Sequence, residues 1–162
     1  MPDQNKASVI KNSRIGAELT DDQCAILSDL VDMHDYDDGD VVVAEGATDD
    51  HLRIVVSGAL AVAKKSDEEG EWMRLNVLTA GDLAGELAFL DSKPRYAALV
   101  ALGSTKLFSL QRARLESLLI KDPVIVYRVM RALARFAHDV LHRSGAQMAE
   151  LTAYLFKTKA KY

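Results

Sequence analysis

The chain has 162 residues, of which 49% are apolar and 27% charged, the balance of one globular domain with a single core rather than of a disordered segment. No apolar run approaches the roughly 20 residues that a membrane-spanning helix needs. The N-terminus has no basic stretch leading into an apolar one, so the expected place of the protein is the cytoplasm, away from membranes. The net charge of −4 argues against non-specific nucleic-acid binding, and the single cysteine, Cys24, excludes a disulfide framework or a thiolate zinc cluster. Cys24 reads as a small buried hydrophobe.

In chain order, residues 1–15 are polar and aperiodic and are expected to form a flexible tail. The remainder, 16–162, reads as one domain. Thr20 has the character of a helix cap, with Gln23 three residues on as a capping box requires and Leu19 and Cys24 placed to close a hydrophobic staple; this helix is expected to run to about Val31. The acidic stretch around His34, with Asp32, Asp35, Asp37 and Asp38, lacks calcium-loop spacing and reads as a turn. From about 36 to 110 short β-branched runs alternate with Gly and Asp. Strands are expected at Val41–Val43, Leu52–Val56, Ala59–Ala63, Trp72–Leu78, Arg95–Leu102 and Thr105–Leu110, and the polar tract from Lys64 to Glu71 reads as a hairpin tip. This pattern predicts a barrel or sandwich of antiparallel hairpins.

From about 111 to 156 the pattern is helical. A short helix covers Gln111 to Ile120, and Asp122-Pro123 supplies the cap and first-turn proline of a longer one. Val126, Met130, Leu133, Ala137 and Val140 alternate at spacings of four and three, a heptad seam expected to pair with a partner helix. Gly145 is expected to kink or break this helix, with a final helix from Gln147 to about Phe156.

The stretch from Ala80 to Ala98 concentrates the chemistry. It contains Gly85, the carboxylate of Glu86, the guanidinium of Arg95 and a turn with free amides. Backbone amides and arginine suit a phosphate, glutamate can accept from a sugar hydroxyl, and glycine permits close backbone approach. Gly-Glu-Leu-Ala followed by Arg95 and small residues resembles the phosphate-binding cassette of cyclic-nucleotide-binding domains. Gly39-Asp40, Gly46, Leu52 to Gly58 and Leu78 to Asp82 resemble the flanking parts of that family. The resemblance covers about Tyr36 to Phe156. It implies a mainly β fold with flanking helices, a double-stranded β-helix or jelly-roll-like β-roll followed by a long C-terminal dimerisation helix.

By position, the resemblance assigns Glu86 to the ribose 2′-hydroxyl and Arg95 to the cyclic phosphate. Gly85, Leu87 and Ala88 would line the pocket or donate amides, and Tyr96 would donate its own amide. The implied ligand is cAMP or cGMP, with cAMP favoured because the hydroxyl associated with cGMP preference is absent. No other cofactor and no metal are implied. Tyr96 stands where the family has Ala, Ser or Thr, and its ring either closes over the phosphate or crowds it. The hydroxyl pair that reads adenine in the activators falls on Val140 and Leu141.

The function implied is that of a homodimeric sensor signalling through its C-terminal helix to an unidentified downstream protein. The alternative is a degenerate roll that binds no nucleotide and serves as a dimerisation or protein-interaction module. The chain has no nucleophile elbow, phosphate-cradling Gly-rich loop or cysteine–histidine set, so it is not expected to be an enzyme. The stretch after Gly145 is too short for a helix-turn-helix, so no direct DNA binding is expected. Arg128, Arg131, Arg135, His138 and His142 form a basic stripe on the long helix, read as a solvated flank in preference to an anion-binding surface.

Overall fold

The computed structural model describes residues 2–68 and 70–159. Met1 of the expected tail, Glu69 in the expected hairpin tip and residues 160–162 lie outside the described residues. Helix α1 spans Pro2–Lys11 and, after a short 3-10 turn at Gly16–Glu18, α2 spans Asp21–Ser28. The strands are β1 (Val31–Tyr36), β2 (Val41–Val43), β3 (His51–Lys65), β4 (Trp72–Thr79), β5 (Leu83–Ala84) and β6 (Ala98–Gln111). Helix α3 (Glu86–Asp91) sits between β5 and β6, and α4 (Arg112–Glu116) and α5 (Pro123–Lys159) follow.

The architecture is built on β3 and β6, which pair antiparallel from His51↔Gln111 to Ala63↔Ala98. Each combines two of the runs visible in the sequence. The first half of β3 and the second half of β6 are flanked by β5 and by β1 respectively. The second half of β3 and the first half of β6 are flanked by β4 and by β2. Two four-stranded layers therefore share one central ladder, and the sheet does not close. Val55, Ala84 and Leu107 from one layer share a core cluster with Val43, Leu60, Leu78, Leu99 and Ala101 from the other, so the roll's interior lies between them.

The bend that makes this possible is at Gly58. The register shifts on both sides of Ser57, and Gly58 has φ +77°. A β-carbon there would lie 2.4 Å from the Ser104 carbonyl oxygen and 2.8 Å from Thr105 Cα. Across the bend the buried Thr105 hydroxyl donates to the Ala59 carbonyl at 3.0 Å, satisfying a group that the broken ladder would strand.

On its other face the first layer packs Val31, Leu52, Ile54, Phe108 and Leu110 against apolar residues of all five helices. Two sequence expectations change here. The segment expected to be a flexible tail contains α1, and Ile10 and Ile15 are fully buried in the helix-side core. Those two residues are too sparse to produce a recognisable period, yet each fills a site in the core. The expected acidic turn is instead β1, an edge strand that buries Val31 and little else; Asp32 pairs with Arg114 at 2.9 Å and Asp35 with Lys106 at 3.6 Å.

The capping box at Thr20 and Gln23 forms as the sequence indicates, and Leu19 and Cys24 are buried in one cluster. Burial pushes the Cys24 thiol up, with Lys11 and Asp21 making smaller opposed contributions. Asp122 accepts from the Ile125 amide at 3.3 Å to cap α5. Two expectations about α5 are corrected. It is one continuous helix of 37 residues through Gly145, because an exposed glycine costs a helix only about 1 kcal/mol and need not break it. The seam expected to face a partner is turned inward: Val126 and Leu133 are buried in the chain's own core, and Met130 and Val140 pack against it.

Gly58→Ala is expected to reduce unfolding free energy on the order of 3 kcal/mol, since both its φ and the space around it exclude a β-carbon. Gly145→Ala should instead stabilise by up to about 1 kcal/mol, as it has a helical conformation and no neighbour within 4 Å. Guanidinium denaturation of both variants measures the contrast, and an unchanged midpoint for Gly58→Ala contradicts the role given to the bend.

Candidate functional site

The Leu83–Ala98 segment interrupts the sheet between β5 and β6. Leu83 joins the helix-side core and Ala84 the roll interior, as strand alternation dictates. Gly85 then turns the chain into α3 with φ +87°. A β-carbon on it would sit 2.6 Å from Arg95 Nη1 and 3.0 Å from the His51 carbonyl oxygen, so both groups press on its bare Cα. Glu86 opens α3, and Phe89 anchors the helix by complete burial in the core that also holds α5. Arg112 Nη1 donates to the Phe89 carbonyl at 3.2 Å and also to the Ser92 hydroxyl.

Arg95 is held through its backbone. Its amide donates to the Ala47 carbonyl and its carbonyl accepts from the Gly46 amide, both at 2.8 Å, a two-bond bridge to the turn after β2. Its side chain lies back over Gly85. Among the described residues the guanidinium makes no hydrogen bond and no ion pair within 4.0 Å. Burial lowers its pKa, with the charges of Asp49 and Glu86 opposing that trend and Arg53 reinforcing it. Burial likewise pushes the Glu86 carboxyl above its ordinary range, against its own backbone N–H and the charge of Arg95.

Of the six residues singled out from the sequence, the structure brings Gly85, Glu86 and Arg95 together. Ala88 is buried at the base of α3. The side chains of Leu87 and Tyr96 are turned outward, 59% and 75% exposed. Lys64 Nζ lies 4.0 Å from the centre of the Tyr96 ring and 3.2 Å from Glu45, so the phenol is drawn toward the end of β3.

Sequence reasoning missed three residues beside Arg95: Asp49, His51 and Arg53. Arg53 grips both oxygens of Asp49, through Nη1 to Oδ2 and through Nη2 to Oδ1 at 3.4 Å. His51 Nδ1 is 3.4 Å from Asp49 and 2.9 Å from Asp50. Burial acts to raise the Asp49 carboxyl, but the hydrogen bond and charge of Arg53, the charge of Arg95 and the His51 amide hold it below its usual range. Asp49, Asp50 and His51 are the one group of metal-type donors among the described residues, and Asp49 is already engaged by Arg53. The signal for Arg53 was available: it lies two residues from Val55 on β3 and so on the inward face, an unusual place for a guanidinium.

The basic stripe on α5 is largely engaged within the chain. Arg131 and Arg135 both pair with Glu18, and Arg128 donates to Gln23 Oε1 at 2.8 Å. They fasten α5 to the N-terminal segment. His138 and His142 border an open cleft with Arg14, Asp139 and Arg143.

The family profile of the cyclic nucleotide-binding domain matches residues 33–122, more than half of the chain, and the chain belongs to that family. Its members are defined by ligand binding in a regulatory role, not by catalysis. A CRP-like cAMP-activated global transcriptional regulator of Mycobacterium tuberculosis is 28% identical over 127 residues, covering 78% of this chain and 54% of the regulator; the chain thus spans about half the length of the curated relatives it matches. The N-terminal domain of a transcriptional regulator from Streptomyces coelicolor superposes with a TM-score of 0.70 at 29% identity, covering 86% of this chain and 94% of that one. A cyclic nucleotide-binding domain from Methylobacillus flagellatus has a TM-score of 0.79 at 19% identity, covering 92% and 83%, a likeness of fold.

The raised Glu86 carboxyl yields a signed prediction. A carboxyl whose folded-state pKa lies above its unfolded value destabilises the fold as it ionises, increasingly as pH rises above the unfolded pKa of about 4.3 and not below it. Glu86→Gln is therefore expected to melt above the wild-type chain at pH 7, with the difference vanishing near pH 4. Calorimetric melts at the two pH values check it, and a lower Tm for the variant at pH 7 overturns it.

Proposed function

We propose that this chain is a cyclic-nucleotide sensor, with cAMP as its ligand, and that it acts as a regulatory module rather than as a catalyst. The observation that carries the reading is the Arg95 guanidinium, half-buried over Gly85 with the Glu86 carboxyl nearby and, among the described residues, no anion paired to it within 4.0 Å. A buried cation without a partner is unfavourable, and the cyclic phosphate supplies one negative charge and two acceptor oxygens for bidentate contact. Glu86 accepts from the ribose 2′-hydroxyl. The outward Tyr96 contributes its backbone amide in this reading, and its ring stays with Lys64. Phe89 joins α3 to the core that holds α5, which gives cassette movement a route to that helix and from it to a partner protein; ligand shifts this equilibrium only by its differential affinity for the two arrangements.

A thermal melt with cAMP and with cGMP tests the reading. Ligand at a hundredfold excess over its dissociation constant adds about 2.7 kcal/mol to the fold. Arg95→Ala should remove measurable affinity in titration calorimetry, because a charged hydrogen-bonding partner of roughly 1.5–3 kcal/mol is lost from a desolvated site. No shift with either nucleotide supports the alternative, a ligand-free interaction module.

Homodimerisation belongs to the same proposal, through the outward face of α5 rather than the seam read in the sequence. Tyr127, Ala134, Leu141, Met148 and Leu155 recur every seventh residue, with Ser144 and Leu151 between the last of them. The large members from Leu141 onward are exposed, and a helix of about 55 Å presents them to a second copy as a coiled-coil seam. Light scattering on the intact chain at tens of micromolar should find a dimer, and Leu141→Glu with Met148→Glu a folded monomer. A monomeric intact chain removes the dimer from the proposal.

A further inference from the structure

Arg53 has no part in the assignment above, although it is the group nearest the pairing problem that the cassette faces. Asp49 lies within electrostatic reach of both Arg53 and Arg95. A carboxylate so placed can neutralise either guanidinium. If it paired with Arg95, an arriving phosphate would have to displace it, and the displaced carboxylate would remain beside the bound anion. The geometry assigns it to Arg53: both oxygens are gripped by the two terminal nitrogens, and Arg53 Nη1 also donates to the His51 carbonyl at 3.4 Å. That same carbonyl is one of the two groups pressing on Gly85, opposite Arg95 Nη1. Arg53 and Arg95 thus approach the Gly85 turn together, Arg53 in a direct ion pair and Arg95, among the described residues, in none.

We propose that Arg53 is a positioning residue of the cassette: by holding Asp49 in a two-pronged ion pair it keeps that carboxylate off Arg95 and leaves Arg95 for a monoanionic phosphodiester. This rests on the cyclic-nucleotide reading of the site. The arrangement follows from placing a fork-shaped cation on the inward face of β3, where it meets the Asp49 carboxylate edge-on; a lysine offers a point charge without that fit. Asp49 and Arg53 cancel, and Arg95 and Glu86 remain to meet the phosphodiester and the sugar hydroxyl.

The test is titration calorimetry of cAMP with the full chain and its variants. Arg53→Met should weaken binding about tenfold or more, because Asp49 transfers to Arg95, and Asp49→Asn with Arg53→Met should recover the wild-type affinity to within about threefold, the non-additivity that shared partners produce. Arg53→Lys, the variant gentlest on the fold, should fall between wild type and Arg53→Met. A double variant as weak as Arg53→Met, or an unaffected Arg53→Met, overturns the proposal. A second readout does not depend on nucleotide: a carbon NMR titration of the Asp49 carboxyl. In Arg53→Met the carboxyl should stay below the ordinary carboxylate range, held by Arg95, and it should rise in Arg53→Met with Arg95→Met. A rise already in Arg53→Met shows that Arg95 does not take Asp49 over and ends the proposal. Should the wild-type chain bind neither cAMP nor cGMP, the cyclic-nucleotide reading fails, and this titration still decides what Arg53 does.

Discussion

The ladder between β3 and β6 has to bend in its middle, shifting register on both sides of Ser57, and the rest of the molecule hangs on that bend. Two strands of 15 and 14 residues are longer than a small domain can use flat. Gly58 turns one of them and the Thr105 hydroxyl closes the backbone groups left open across the turn. Once the ladder bends, the same two strands serve two layers. Each layer then recruits its own edge strands, and an interior forms between them. The helices are left to cover the outside of the first layer.

This division of the ladder also explains where the charges sit. Inward positions of the first half of β3 lead from the interior toward the Gly85 turn. A residue there is shielded from water yet within reach of the cassette. Aliphatic Val55 fills the interior, and Arg53, two positions earlier, arrives beside Asp49 and Arg95. The turn after β2 supplies Gly46 and Ala47 to hold the Arg95 backbone. Three separate segments therefore meet beside Arg95, and none of them could make that arrangement alone. Burial works against the charges of Asp49 and Arg95; the direct ion pair with Arg53 offsets it for Asp49, while Arg95 has only the more distant charges of Asp49 and Glu86 to oppose it.

The helical layer links the cassette with the far end of the molecule. Phe89, fully buried, stands in the same cluster as Ile125, Val129, Leu133 and Phe136 of α5. Close packing transmits displacement because a buried aromatic ring cannot move without its neighbours. The N-terminal half of α5 is fixed to the roll both by this cluster and by the Glu18 pairs. The half beyond Leu141 has its apolar residues exposed, so the helix changes from core element to free surface along its own length.

Much of this was legible in the residues alone. The β-branched runs cut by Gly and Asp marked the strands, Thr20 with Gln23 and Asp122 with Pro123 marked the helix starts, and the Gly-Glu-Leu-Ala motif with Arg95 pointed to the cassette. The strand and helix marks are local signals, set by backbone preference and short-range hydrogen bonds, whereas the cassette was read by its resemblance to a known family. What the local signals could not contain was which partner each side chain meets. A 3-and-4 spacing at Val126, Met130, Leu133 and Val140 says that one helix face is apolar, but burial against the chain's own roll and burial against a second copy produce the same spacing. Ile10 and Ile15 carry too little periodicity to announce α1, and β1 shows almost no alternation because an edge strand buries one residue. Sequence by itself determined most of the strands, the starts of α2 and α5 and the chemistry available at Glu86 and Arg95; tertiary structure decided that Asp49 belongs to Arg53, since that pairing depends on distances across β3 and the Gly85 turn, which no spacing along the chain encodes.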